Sequence, residues 1–175
     1  MNAFTVWFTG LPCSGKTTLA TLLHDYLLQQ GVPNVELLDG DVVRQYLTKG
    51  LGFTKQDRDE NIRRIGWLSR MLNRHGVNTI IAAISPYSDV REEQKQLNKN
   101  FFEVYVSCPV EICEQRDVKG MYKKAKQGTI KHFTGVDDPY EAPLNPDLVI
   151  ETDKLNVEDS FKLLLNAITT KVLAK

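Results

Sequence analysis

The chain has 175 residues, 42% of them hydrophobic and 25% charged, with 22 lysines and arginines balanced by 22 aspartates and glutamates. This length suits one compact domain rather than two, and the composition belongs to a globular chain rather than a disordered one. Zero net charge removes the global basic field that wrapping nucleic acid requires, and no apolar run reaches the ~20 residues needed to span a bilayer.

In chain order, Met1 to Thr9 has no basic start and no cleavage site, so it does not read as a signal peptide. Within it, Phe4 to Phe8 is a bulky, β-favouring run that stops at Gly10. From Lys16 to Gln30, Leu19, Leu22, Leu23, Tyr26 and Leu27 recur at helical spacing, and Gly31 and Pro33 end the helix. Val35 to Leu38 reads as a second strand, running into Asp39-Gly40-Asp41. Asp57 to His75 is a long helix with Ile62, Ile65, Leu68, Met71 and Leu72 on its apolar side, closed by Gly76.

Val77 to Ile84 is a continuous apolar strand broken at Pro86, and Asp89 to Asn98 is charged and helix-favouring. Phe101 to Val106 is a further strand, followed by a short helix opened by Pro109. Leu148 to Ile150 is a fifth, short strand, and Val157 to Leu173 an amphipathic closing helix. Strands alternating with helices predict an α/β fold, and near-continuous apolar strands predict a parallel sheet covered on both faces. The stretch from Lys119 to Pro146 carries glycines, prolines, aromatics and lysines without periodicity, as lids and binding loops do. One domain over residues 1–175, with a lid at about 119–146, is the expected organisation. Three cysteines, Cys13, Cys108 and Cys113, match no metal or disulfide spacing and read as reduced thiols of a cytoplasmic protein.

Gly10-Leu11-Pro12-Cys13-Ser14-Gly15-Lys16-Thr17 matches the phosphate-loop pattern G-x-x-x-x-G-K-[ST] in full, between a strand and a helix. Such a loop turns its backbone N–H groups inward around phosphate oxygens, and the helix N-terminus adds unsatisfied donors. Lys16 is placed to reach the β- and γ-phosphates, and Thr17 to ligate Mg²⁺. The strand ending at Ile84 supplies no acid, so Asp39 and Asp41 are the candidate metal carboxylates; a turn built from Asp and Gly is the competing reading of that string. Asn98-Lys99-Asn100-Phe101 lacks the aspartate of a guanine clamp and precedes its strand, which argues against a GTPase.

Seven further strings occur in order: Asp39-Gly40-Asp41 with Arg44; Gly52-Phe53; Arg58 to Arg64; Ile84-Ser85-Pro86-Tyr87; Lys119 to Ala125; Phe133 to Asp137; and Pro139-Tyr140-Glu141. Together they resemble the adenylylsulfate kinases. The resemblance implies a P-loop kinase fold with a five-stranded parallel sheet flanked by helices. It also implies transfer of the γ-phosphate of ATP, with Mg²⁺, to the 3′-hydroxyl of adenylyl sulfate.

By the same resemblance, Gly10 to Thr18 (Thr18 included) and Arg116 bind the nucleotide. Thr17, Asp39 and Asp41 serve the metal, and Asp41 and Lys16 are catalytic. Arg44, Phe53, Arg58, Asn61, Ile84, Ser85, Lys119 and Phe133, with Asp41, form the acceptor site. Phe53 and Phe133 are the implied adenine sandwich, and Phe133 is expected to sit among polar lid residues with little core to join. Ser85 is expected near the acceptor, where it could hydrogen-bond substrate or take up phosphate. Arg63 and Arg64 fit either the site or a solvated helix face. A homodimer is implied, with no nucleic-acid or membrane partner.

Leu11-Pro12-Cys13 stands where the family usually has small polar residues. Cys13 lies near a helix N-terminus, which favours a thiolate, so inhibition by thiol reagents is expected to vanish in Cys13→Ser. Competing readings are a kinase of the same fold acting on a nucleoside monophosphate, shikimate or gluconate, and a non-catalytic nucleotide-binding module.

Overall fold

Near-continuous apolar runs pair side by side in this chain because helices cover both faces of one sheet. The computed structural model describes residues 3–173, so Met1 and Asn2 at the head of the N-terminal run lie outside it. The elements are β1 (Thr5–Thr9), α1 (Lys16–Gln29), β2 (Val35–Asp39), α2 (Gly40–Tyr46), α3 (Lys55–Arg74) and β3 (Asn78–Ala82). They continue with α4 (Ser88–Leu97), β4 (Phe101–Ser107), α5 (Val110–Arg116), α6 (Met121–Lys126), β5 (Leu148–Glu151) and α7 (Val157–Ile168), which passes into a π-helical turn, Thr169–Leu173. The five strands are all parallel in the order β2-β3-β1-β4-β5. Among the described residues no helix is long and apolar enough to cross a membrane.

Every residue of β1 and of β3 is buried. Successive side chains of a strand point to opposite faces. Val6 and Phe8 therefore pack with Leu19, Leu23 and Leu27 of α1 and with Leu164 and Ile168 of α7. Trp7, between them, packs on the other face with Ile62 and Ile65 of α3 and Val90 of α4. Each such fully buried side chain contributes roughly 1.5–3 kcal/mol. Polar side chains between β1, α3 and β3 pair with one another: the Thr5, Ser69 and Thr79 hydroxyls lie within 2.7–3.0 Å of one another.

The structure departs from the sequence reading in instructive places. Asp39-Gly40-Asp41 is not a plain turn: β2 runs directly into α2, and Asp39 caps that helix by accepting from the Asp41 N–H at 2.8 Å. Gly40, Val42 and Val43 are weak helix formers, so neither propensity nor length announced α2. Helix α3 starts two residues before Asp57, because Thr54 accepts from the Asp57 N–H at 3.2 Å and caps it. β3 is shorter than its apolar run, and α7 changes to π geometry at Thr169 instead of continuing to Leu173.

The lid departs most. The segment contains α6, and its Tyr122, Ala125 and Phe133 are buried in a small apolar core with Cys108 and Cys113, which precede it. Leu11 and Cys13 of the phosphate loop pack against that core, so the segment expected to be a lid is joined to the loop by apolar contact.

Candidate active site

The loop between β1 and α1 has backbone demands that only certain residues meet. Gly10 has φ +152°, and a Cβ there would lie 2.4 Å from the Val106 carbonyl oxygen. Gly15, at φ +103°, is the N-cap of α1 and offers no side chain to the first-turn N–H groups, which are thus left for an anion. Cys13 adopts φ +62°, a strained value for a residue with a side chain.

Lys16 is buried inside this loop and donates to the Leu11 carbonyl at 2.6 Å. Burial pulls its ammonium pKa down to about 8, against weaker upward effects that include Asp41 and Asp39. Thr17 and Thr18 are exposed on the first turn of α1. The outer side of the loop is braced from elsewhere. Arg116, ending α5, donates to the Thr152 hydroxyl at 3.1 Å and carbonyl at 2.6 Å, and Thr152 donates to Ser14 O at 2.8 Å. Thr152 was not singled out from sequence; nothing in Glu151-Thr152-Asp153 marks it.

The carboxylates expected at the end of β2 do stand beside the loop. Thr17 Oγ1 donates to Asp39 Oδ2 at 2.9 Å, although β3 separates β2 from β1 in the sheet. Asp41 is largely exposed and pairs with Lys119 of the lid, which raises the lysine's pKa. Asp41 stands in the first turn of α2, two residues after the Asp39 that Thr17 bonds and three before Arg44 on the same helix. Among the described residues no three His, Cys, Asp or Glu side chains gather to hold a metal ion.

Beyond Asp41 a second cluster forms around Phe53, whose ring is half-exposed. The Arg44 and Arg58 guanidiniums lie 4.8 and 5.4 Å from its ring centre. Burial lowers the pKa of both, and Arg58 lowers that of Arg44 further. Two cations held on one aromatic ring make a pre-set place for an anion with a flat apolar body. Arg44 is fixed by Leu51 O and Gly52 O at 3.3 and 3.1 Å. Asn61 is buried and accepts from Thr48 Oγ1 at 2.7 Å.

Two expected residues stand differently. Phe133 is buried and packs edge-on against Tyr122, with ring centres 5.0 Å apart, so it does have a core to join. Phe53 is the open ring of the expected pair. Ser85 is also buried, and its hydroxyl accepts from Trp7 Nε1 at 2.9 Å. Accepting from Trp7 leaves the hydroxyl its own proton to donate, and burial shields it from solvent. What the chain offers there is the strand end itself, with Ser85 at φ +49° and the half-buried Ile84 taking the Thr9 hydroxyl at 2.7 Å.

Arg63 and Arg64 pair at the surface with Glu93 and Glu60, at 2.9 and 2.7 Å, and belong to the solvated face of α3. The lid cations are partly spoken for as well: Lys126 binds Glu114 at 2.7 Å and Lys119 binds Asp41. All three cysteines are free, and Cys13 is half-buried at the edge of the lid core.

Comparison with known proteins agrees with this geometry. A family model described as adenylylsulphate kinase matches residues 2–151. An adenylyl-sulfate kinase of Microcystis aeruginosa is 53% identical over 165 residues, covering 94% of this chain and 91% of that one. One from Deinococcus deserti is 53% identical over 161 residues, covering 92% and 88%. An APS kinase structure from Mycobacterium tuberculosis, in complex with AMPPNP and APS, superposes with a TM-score of 0.89 at 39% identity, covering 96% of this chain and 98% of that one. A P-loop of full pattern, a paired acid at the end of β2 and matches of this extent place the chain in one family: it belongs to the adenylylsulfate kinases.

Proposed function

We propose that the protein transfers the γ-phosphate of ATP to the 3′-hydroxyl of adenylyl sulfate, giving ADP and 3′-phosphoadenylyl sulfate. The observation that carries this is the position of Asp41, two residues from the Asp39 that Thr17 of the P-loop bonds and three before the Arg44 that lies over Phe53. An acid so placed faces a phosphoryl donor on one side and an anionic, ring-bearing acceptor on the other. In phosphoryl transfer, positioning and neutralisation of charge do most of the work, since little covalent chemistry is left to protein groups.

The roles follow from the residues. Lys16 and the open N–H groups of the loop receive the polyphosphate, and Arg116 with Thr152 keeps that loop in shape. Asp41 accepts the hydrogen bond of the 3′-hydroxyl, holds its oxygen in line with the γ-phosphorus and takes its proton. As the new P–O bond forms, the bond to the ADP oxygen breaks. Before this, Lys119 must leave Asp41, and the incoming acceptor's negative charge gives it another partner. Arg44 and Arg58 hold the acceptor's anionic group and Phe53 its base. Closure of the lysine-bearing lid excludes water and lowers the repulsion between the two nucleotides.

Thr17 and Asp39 fit a magnesium site, since a hydroxyl and a carboxylate 2.9 Å apart offer the hard oxygen ligands that Mg²⁺ prefers, with water and phosphate completing its shell. When bound, that ion supplies charge neutralisation on the β- and γ-phosphate oxygens. The reading includes a cytoplasmic location and a homodimer, the second of which light scattering on the purified protein tests.

The deciding experiment is ADP release from Mg-ATP with adenylyl sulfate, compared with AMP, shikimate, gluconate and no acceptor. Strong turnover only with adenylyl sulfate, yielding the 3′-phosphorylated product, supports the reading. Turnover with another acceptor keeps a kinase and discards this substrate. Binding without turnover on any acceptor leaves a nucleotide-binding module.

A further inference from the structure

Arg58 is held in a way that its own helix does not explain. Its Nε donates to Phe53 O at 3.0 Å and its Nη2 to His132 O at 2.6 Å, while its charge faces Asp138 Oδ2 at 3.6 Å. Asp138 is only 11% exposed, and both of its carboxylate oxygens accept from the Tyr87 hydroxyl, at 2.8 and 2.9 Å. Lys55 lies 4.4 Å over the face of the same tyrosine ring. Three distant segments meet here: the first turns of α3, the loop after β3 and the base of the lid.

A carboxylate beside an arginine ordinarily forms a two-pronged pair with it, which would use up the guanidinium's donors. Here the tyrosine hydroxyl occupies the carboxylate instead. Asp138 stays close enough to offset the charge of Arg58, and too far to bond it directly. Among the described residues Nη1 of Arg58 has no hydrogen-bond acceptor, so that edge stays available to a ligand oxyanion. Asp138 also fixes the lid turn that carries Phe133: its carbonyl accepts from Gly135 N at 2.8 Å, and its own N–H donates to Phe133 O at 3.2 Å.

We propose that Asp138 and Tyr87 are positioning residues for the acceptor, holding Arg58 in one orientation beside Phe53 and tying the base of the lid to α3. The inference rests on adenylyl sulfate being the acceptor. It states that the site's affinity for that anion depends on a carboxylate which never touches it. Tyr87 is needed because, without its hydroxyl, Asp138 is free to swing onto Arg58 and compete with the substrate.

The test is steady-state kinetics with each substrate varied in turn on Asp138→Asn and Tyr87→Phe, with calorimetric binding of adenylyl sulfate and a melting curve for each. Both variants should raise KM and Kd for adenylyl sulfate roughly tenfold, the scale of one hydrogen bond to a charged group, and leave KM for ATP within about twofold. Tyr87→Phe keeps every charge and nearly all the volume, so it carries the test if Asp138→Asn does not fold. Unchanged or tighter acceptor binding in either folded variant overturns the positioning role, as does an equal loss for both substrates, while leaving the reaction assignment intact. A wild-type protein that neither binds nor phosphorylates adenylyl sulfate overturns the acceptor assignment, and this inference with it.

Discussion

Nucleotide binding should be coupled to proton uptake by Lys16, and the size of the effect follows from its burial. The free ammonium has a pKa of about 8 instead of the usual 10.5, because the loop removes it from water and offers only a carbonyl and a hydroxyl in return. A polyphosphate arriving at Nζ favours the charged form and returns the pKa well above 8. At about pH 8 roughly half of the free molecules carry a neutral lysine, so MgATP should take up about half a proton per site. Between about pH 7 and pH 9 the observed affinity should fall roughly tenfold, since an increasing share of the free protein must be protonated before it binds.

Isothermal titration in two buffers of different ionisation enthalpy measures the uptake directly. Lys16→Met, which cannot titrate, should bind more weakly and show no uptake. An affinity that stays flat from pH 7 to 9, or uptake at pH 8 that persists in Lys16→Met, would refute the reasoning.

Removing the acid between the two half-sites should slow the chemical step rather than weaken nucleotide binding. Asp41→Ala should lower kcat by about 10²–10⁴ with KM for ATP changed only a few-fold, the usual range for a lost general base, and near-normal turnover would end its assigned role. Gly66 lies where α3 meets α4, and a Cβ there would sit 1.9 Å from Oε1 of the buried Gln94. Gly66→Ala should cost about 1–3 kcal/mol in urea unfolding, as overpacking does, since Gln94 must also give up its 2.9 Å bond from Arg70. Arg91 is buried, donates to Ser85 O and Glu141 O, and lies 3.6 Å from the buried Glu103. Arg91→Leu should destabilise by about 1–3 kcal/mol, because the Ser85 and Glu141 carbonyls lose their donor and Glu103, whose pKa burial already raises, keeps only Lys95 at 3.8 Å; a urea midpoint close to wild type would contradict this.

Sequence by itself determined the fold class and the form of the phosphate loop. The five strands and long helices were legible because apolar side chains repeat with the period of the element that buries them. The phosphate loop was legible because its backbone needs glycine at Gly10 and Gly15, a demand met by local residues alone. The approach of Asp39 to the phosphate loop was legible from its place at the end of β2, whereas Asp41 stands in α2, a helix the sequence did not announce.

Tertiary structure decided which of the expected side chains stay open and which are buried, since that depends on residues far apart in the chain. Phe133 looked isolated because its neighbours in sequence are polar, yet Cys108, Cys113 and Tyr122 surround it in space. Ser85 looked exposed at its strand end, yet it is buried and its oxygen accepts from Trp7, 78 positions earlier. Arg58 carries no local mark of its dependence on Asp138 and Tyr87. That arrangement exists only once the lid has folded back over α3, because charge compensation and desolvation are set by distance in space, on which spacing along the chain is silent.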